Sequence, residues 1–214
     1  MRWMMQSSQL ISITISNVTK KYGKCYALRS LSANFVPGRL NLLIGENGSG
    51  KTTLLKCIMG LVRYEGSISV MAGKIGYAPE QYVMPSFMRV IDFLCSLGRV
   101  REKDHQRIDE RIPELLSIFD FKSLSKRMIG GLSNGMKQKV NLLQALVHDP
   151  EILILDEPLH GLDLDSQRQF VELLKKLAKQ KLIIVSTHYP ERFRSKTLKT
   201  YLLTNGEIEP FTNA

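Results

Sequence analysis

Apolar and polar positions change their period several times along the chain, and each change marks an element. Ile11, Ile13 and Ile15 alternate with Ser12, Thr14 and Ser16, which predicts a strand with one solvated face. Leu31, Ala33 and Phe35 alternate again, and Pro37-Gly38 then turns the chain into the run Leu40, Leu42, Leu43, Ile44. Ile68 with Val70, and Ile75–Tyr77 before Pro79, give two more short strands. Together these predict an antiparallel front sheet folded around strand 40–44. Leu54, Leu55 and Ile58 make a helical stripe that Gly60 can stop.

From Ser86 to about Phe121 the texture is helical. Ser86 is a candidate N-cap, and Phe87, Ile91, Leu94 and Leu97 share a face. Arg99–His105 reads as a charged connection, after which Ile108, Ile112, Leu115, Leu116 and Phe119 resume the helical period. Pro113 is expected to kink or restart that helix. No strand signal interrupts this stretch, so residues from about 82 to 135 are expected to form an inserted helical subdomain. Val140, Leu143 and Val147 then mark a helix that Pro150 ends. Ile152–Leu155 and Leu182–Val185 are continuous apolar runs, as in parallel strands covered on both faces. Between them Phe170, Leu173, Leu174 and Leu177 follow helical spacing, and Tyr201–Leu203 with Asn205-Gly206 predicts a terminal hairpin. Alternating strands and helices predict an α/β fold with a mostly parallel sheet, an N-terminal antiparallel β subdomain and the helical insert, all within a single domain of residues 1–214.

The chemistry begins where strand 40–44 ends. Gly45-Glu46-Asn47-Gly48-Ser49-Gly50-Lys51-Thr52 fits G-x-x-x-x-G-K-[ST] between a buried strand and a helix, the setting of a phosphate-binding P-loop. Glycines at 45, 48 and 50 let backbone N–H groups wrap phosphate oxygens, and the helix N-terminus adds positive potential. Lys51 supplies a mobile charge for the β- and γ-phosphates, the Thr52 hydroxyl can ligate Mg²⁺, and Asn47, Ser49 and Thr53 complete the cradle. The run Ile152–Leu155 ends in Asp156-Glu157-Pro158. An acidic pair at the carboxyl end of a buried strand sits beside such a phosphate site. Asp156 would hold Mg²⁺ and Glu157 would polarise the attacking water. The P-loop implies a P-loop NTPase core with ATP and Mg²⁺ as cofactors.

Composition narrows the setting. The chain is 214 residues long with 43% hydrophobic and 23% charged content and a net charge of +10. The basic residues are scattered and not interleaved with aromatics, so they read as a solvated surface, and nucleic acid is not the expected partner. No apolar run approaches a membrane span, and Met1–Gln9 lacks the apolar core of a signal peptide. Cys25, Cys57 and Cys95 are widely spaced without metal-ligand spacing, and are read as reduced thiols of a cytoplasmic protein. His105 and His148 are read as surface residues.

Gly45–Thr52, Gln81, Leu132-Ser133-Asn134-Gly135-Met136, Ile152–Glu157, Gly161-Leu162-Asp163 and His188 occur in the order and spacing of ATP-binding-cassette ATPases, and from about Ile11 to Gly206 the chain resembles that family. The resemblance implies that Tyr22 stacks on adenine and that Gln81 reaches Mg²⁺ and the attacking water. It also implies that His188 contacts the γ-phosphate and Asp163 crosses a dimer interface. Leu132–Met136 resembles the signature Leu-Ser-Gly-Gly-Gln, departing from it at Asn134 and Met136. Ser133 and Gly135 remain as the residues that would face the ATP of a second subunit. Catalytic roles thus fall on Glu157, His188 and Gln81, and metal binding on Thr52, Gln81 and Asp156.

The expected partners are a separate integral membrane permease and a second ATPase subunit, either another copy or a related chain. The cassette would lie on the cytoplasmic face of the membrane. Met136-Lys137-Gln138 resembles exporter-type cassettes, and Val83, Met84, Phe87 and Met88 are candidates for the permease contact. His160 has no assigned role. The alternative is a cassette unconnected with transport that acts on nucleic acid or ribosomes, which ATPase stimulation by RNA would reveal.

Overall fold

The fold is described from a computed structural model covering residues 11–71, 73–102, 104–194 and 197–211; the reading of Met1–Gln9 lies outside these residues. Strand β1 (Ser12–Tyr22) pairs antiparallel with β2 (Cys25–Phe35) on one side and β4 (Glu65–Met71) on the other. In β1 the inward positions Ile13, Ile15 and Val18 are buried. The step from two-residue to three-residue spacing between Ile15 and Val18 is a register shift, with Asn17 at φ 52°.

The second sheet runs in the order β5-β6-β7-β3-β8-β9. It comprises β3 (Leu40–Ile44), β5 (Ile75–Ala78), β6 (Ile152–Asp156), β7 (Leu182–Ser186), β8 (Leu198–Thr204) and β9 (Glu207–Phe211). Every pair is parallel except β8–β9, whose turn holds Asn205 and Gly206 at φ 50° and 83°. Residues of β6 and β7 are buried throughout, as their unbroken apolar runs require. Two expectations about the front sheet change here. Strand β5 does not join it but pairs with β6, and the P-loop strand β3 lies inside the parallel sheet between β7 and β8.

Helix α1 (Lys51–Ile58) follows β3 and covers one face of this sheet; α5 (Leu164–Leu177) covers the other with α4 (Asn134–Leu146). The insert contributes α2 (Val90–Arg101) and α3 (His105–Ser117). Its apolar residues Val90, Leu94, Ile108 and Ile112 share one buried cluster with Leu153 and Leu155 of β6 and Ile183 of β7. Ion pairs Arg111–Asp149 (3.0 Å) and Lys181–Asp149 (2.8 Å) edge this contact; being partly exposed, they add little beside the burial.

Ser86 does not cap α2. Ser86 and Phe87 lie in a turn closed by the Met88 N–H on the Pro85 carbonyl (3.1 Å), Arg89 is extended and bridges Met128, and Ile129 donates its N–H to the Met88 carbonyl at 2.9 Å. The helix therefore starts at Val90 and runs on through Arg99 and Arg101, residues expected in a connection. Asp104 caps α3 by accepting from the N–H groups of Gln106 and Arg107. The helix continues through Pro113, whose lost hydrogen bond is offset by burial of Ile108, Ile112, Leu115 and Leu116. Met84 and Met88 are partly buried against the insert's core, whereas Val83 and Phe87 are exposed. His148 is buried, not on the surface: its Nε2 meets the Ile75 carbonyl at 3.1 Å, and burial pushes its basicity down.

Candidate nucleotide and hydrolysis site

The glycine cradle is shaped by close approach. Gly45 has φ 150°, and a Cβ there would stand 2.2 Å from the Leu203 carbonyl oxygen. Gly50, at φ 111°, would bring a Cβ within 2.5 Å of the Ala27 carbonyl oxygen. No side chain fits either place, so β8 and β2 press the loop into its curve. Lys51 is buried, and its ammonium donates to the carbonyls of Gly45 (2.8 Å) and Glu46 (3.0 Å). Burial lowers its basicity, while the charges of Glu157, Asp156 and Glu80 oppose that effect. The Ser49 hydroxyl is buried with no protein partner. A cavity of about 650 Å³ opens over residues 45–49, bounded by Thr187, His188 and Leu203.

Asp156 and Glu157 stand at the end of β6, next to Ser186 of β7. Ser186 Oγ donates to Asp156 Oδ1 at 2.5 Å and accepts the Glu157 N–H at 3.1 Å, so one hydroxyl fixes both acids. Asp156 Oδ2 is buried without a partner. Glu157 sits at φ 47°, a conformation uncommon outside glycine, which turns its carboxylate away from the strand. Its Oε2 accepts the His188 backbone N–H at 3.4 Å. The His188 ring Nε2 lies 3.2 Å from Oε1, yet Oε1 lacks an aligned hydrogen-bond donor. Burial lowers the basicity of His188, and the Lys51 charge lowers it further. A second cavity, of about 370 Å³, joins Asn47, Glu80, Glu157, His160 and His188.

Burial also pushes the Glu157 carboxyl from its ordinary 4.5 up to about 7. Its folded value therefore lies above its unfolded one. The stability it contributes is complete below pH 4.5 and is lost as the pH rises through about 7. Without nucleotide and metal, Glu157→Gln should melt above the parent protein at about pH 8, by about 1–3 kcal/mol, with the gap closing toward pH 4.5. Thermal melts across that range check this, and a gap independent of pH would refute it.

The predicted residues divide into three groups. Gly45, Asn47, Gly48, Ser49, Glu157 and His188 line the two cavities, Lys51 is held behind the loop by the Gly45 and Glu46 carbonyls, and Asp156 is tied to Glu157 through Ser186. Thr52 and Thr53 open α1 beside Lys51. Tyr22 lies at the tip of the β1–β2 hairpin, half exposed, with Lys20 Nζ 4.7 Å from its ring centroid. Tyr26, not singled out in the sequence, is also exposed; its ring is flanked by Lys21 and Arg29, and it shares a cavity with Gly48. Gln81 is exposed and is not among the residues lining the hydrolysis cavity; Glu80, one residue earlier, is. The register explains this. Ala78 pairs with Leu155, which sets Glu80 beside Glu157.

Ser133, Gly135 and Asp163 form a separate edge. Ser133 caps α4, accepting the Met136 N–H at 3.3 Å, and is exposed. A Cβ on Gly135 would meet the Gly161 carbonyl oxygen at 2.6 Å. Asp163 caps α5 by accepting from the N–H and hydroxyl of Ser166 at 2.8 and 2.7 Å, and Lys139 of α4 stands 3.1 Å away. These partners, the Ser166 N–H first, hold its carboxyl well below the usual carboxylate range. Three amides on one face of α4 were also missed. Gln138 donates to the Pro158 carbonyl (3.0 Å), Asn141 to that of Pro79 (2.9 Å) and Gln144 to that of Tyr77 (2.7 Å). Their i, i+3, i+6 spacing was the available signal.

Carboxylate and hydroxyl oxygens form a donor set suited to a hard cation. Mg²⁺ takes few protein ligands and completes its shell with waters and nucleotide phosphates, and Asp156 Oδ2, buried without a protein partner, is the oxygen left for that role. Asp156 and Thr52 would hold the ion, which when bound neutralises charge on the transferring phosphoryl group.

The comparisons agree with this geometry. A family model described as ABC transporter matches residues 28–160. The ABC transporter ATP-binding protein YxlF of Bacillus subtilis (strain 168) is 32% identical over 203 residues, covering 92% of this chain and 69% of its own. The sulfate/thiosulfate import ATP-binding protein CysA of Nocardia farcinica (strain IFM 10152) is 30% identical over 210 residues, covering 92% of this chain and 63% of its own. Among solved structures, the dimeric structure of MJ0796, a bacterial ABC transporter cassette, superposes with a TM-score of 0.81 at 25% identity, covering 92% of this chain and 96% of that one. The chain belongs to the ABC transporter family and is its ATP-binding, ATP-hydrolysing cassette.

Proposed function

We propose that two cassettes close head-to-tail on two molecules of Mg·ATP, each cradle facing the Ser133 tip of its neighbour, and that this cycle drives a separate membrane permease. The observation that carries this reading is the division of the site within one chain. The cradle, the acidic pair and His188 are assembled, while the N-terminus of α4, with its capped hydroxyl and adjacent glycine, faces outward. A helix N-terminus stabilises anionic oxygens, and an isologous pairing would supply each cradle with one. The MJ0796 cassette is described as dimeric, which supports the arrangement.

In the closed site Glu157 accepts a proton from the attacking water, and His188, beside it, orients the γ-phosphate. Lys51 leaves its carbonyl contacts for the phosphates. Among the described residues no helix is long and apolar enough to cross a membrane. The exposed Val83 and Phe87 are the side chains that would meet the permease. Met136-Lys137-Gln138 favours an export system, and the permease sets the substrate. Ser133→Arg, made in a Glu157→Gln background, is expected to abolish the ATP-dependent dimer while leaving ATP binding within about threefold. Sedimentation with and without ATP checks this; a dimer that survives the arginine would overturn the arrangement.

A further inference from the structure

The hydroxyl of Tyr77 and Oδ2 of Asp156 are both buried, and neither has a hydrogen-bond partner in the protein. Tyr77 lies on β5 beside Ile154, and Ala78 lies beside Leu155. Alternation then puts Tyr77, Ile154 and Asp156 on one face of the sheet and Ala78 with Leu155 on the other. The apolar clusters follow the same division: Tyr77 and Ile154 pack with Leu54 and Leu55 of α1, while Ala78 and Leu155 pack with the opposite layer. Tyr77 is two residues short of Asp156, about 6.6 Å along the strand, a gap that a tyrosine side chain leaning toward the strand end covers.

The backbone at this position is fixed, because the Tyr77 carbonyl accepts Gln144 Nε2 at 2.7 Å. Burial pushes the phenol up to about 12, and the charges of Asp156 and Glu80 push in the same direction, so both carboxylates lie within electrostatic reach. The group is therefore a hydrogen-bond donor at neutral pH. A buried hydroxyl with no acceptor is unfavourable, and a phenylalanine would fill the same space without it. A donor and a carboxylate oxygen, each buried and unpaired in the protein, are the two groups that one bridging water would satisfy.

We propose that Tyr77 is a positioning residue of the metal site, its hydroxyl donating to a water of the Mg²⁺ shell that Asp156 Oδ2 also holds. This rests on the reading of Asp156 as the metal-binding carboxylate. Tyr77 acts through that water and touches neither nucleotide nor the transferred group, so its removal loosens the ion while the cradle stays intact.

The test uses the full chain with Glu157→Gln, so that ATP is bound and not consumed, and Mn²⁺ as the paramagnetic probe. Adding Tyr77→Phe should weaken Mn²⁺ affinity about tenfold by electron paramagnetic resonance titration. ATP binding in EDTA should be unchanged, and the metal-free melting temperature unchanged or higher, because the lost hydroxyl had no partner. Unchanged Mn²⁺ affinity, or a lower metal-free melting temperature, overturns the proposal. Asp156→Asn in the same background separates the two readings. If it weakens Mn²⁺ and Tyr77→Phe does not, only the role of Tyr77 fails; if neither does, the metal site itself is misplaced.

Discussion

Replacing Glu157 with glutamine is expected to lower ATP turnover by about 10²–10⁴-fold while ATP still binds, the usual contribution of a positioned general base. The backbone of Glu157 is held independently of its carboxylate, since its N–H donates to the Ser186 carbonyl at 3.2 Å and to Ser186 Oγ at 3.1 Å. An isosteric amide therefore keeps the local geometry, and its Oε1 can still accept the His188 N–H. What disappears is proton affinity at a carboxylate oxygen that has no protein donor aligned to it, on a residue that lines the cavity with Asn47 and His188. The raised carboxyl, about 7, already suits a base working near neutrality. Hydrolysis blocked with binding intact should accumulate the ATP-bound dimer. Single-turnover hydrolysis and sedimentation measure the two effects separately, and turnover near that of the parent would remove Glu157 from the mechanism.

The second large effect is expected at Lys51. Lys51→Ala should weaken ATP binding by about 10²–10³-fold, because hydrogen bonds to charged groups are the strong ones and two or more are lost together. The buried ammonium exchanges its bonds to the neutral Gly45 and Glu46 carbonyls for stronger ones to charged phosphate oxygens. Its loss also leaves Asp156, Glu157 and Glu80 without the positive charge they share, and the cavity then repels a triphosphate. Calorimetric titration should show the loss growing from adenosine, where it is near zero, through ADP to ATP. An ATP affinity within twofold of the parent would show that the lysine does not meet the phosphates.

The elements legible in the sequence were those fixed by local pattern. The run Leu40–Ile44 before the glycine loop, and the unbroken apolar runs of β6 and β7, could be neither helix nor surface strand. What was missed depended on partners distant in the chain. Strand β5 has four residues, too few for alternation to name a sheet, and its neighbour β6 begins only at Ile152. The start of α2 is set by residues 127–130, whose hydrogen bonds to Ser86, Met88 and Val90 hold the preceding turn in place and override the serine as a cap. Pro113 breaks a helical rule that packing around Ile112 and Leu116 outweighs.

In the candidate site the P-loop, Asp156, Glu157 and His188 were readable because each ends or follows a buried strand. Gln81 was read from motif order, through the resemblance, and Glu80 was not considered. The bend after β5 places Glu80 on the cavity with Glu157 and leaves Gln81 exposed, which no local pattern announces. His148 looked like a surface histidine because the group that receives it, the Ile75 carbonyl, is remote in sequence.

The apolar cluster that runs from Val90 and Ile112 through α4 into Leu153 and Leu155 has one further consequence. The helical insert has no private interior, so it cannot melt, be excised or be exchanged for another without baring the strand that carries the acidic pair. Damage far out on the insert should therefore reach hydrolysis through the floor of the site, with the nucleotide contacts themselves untouched.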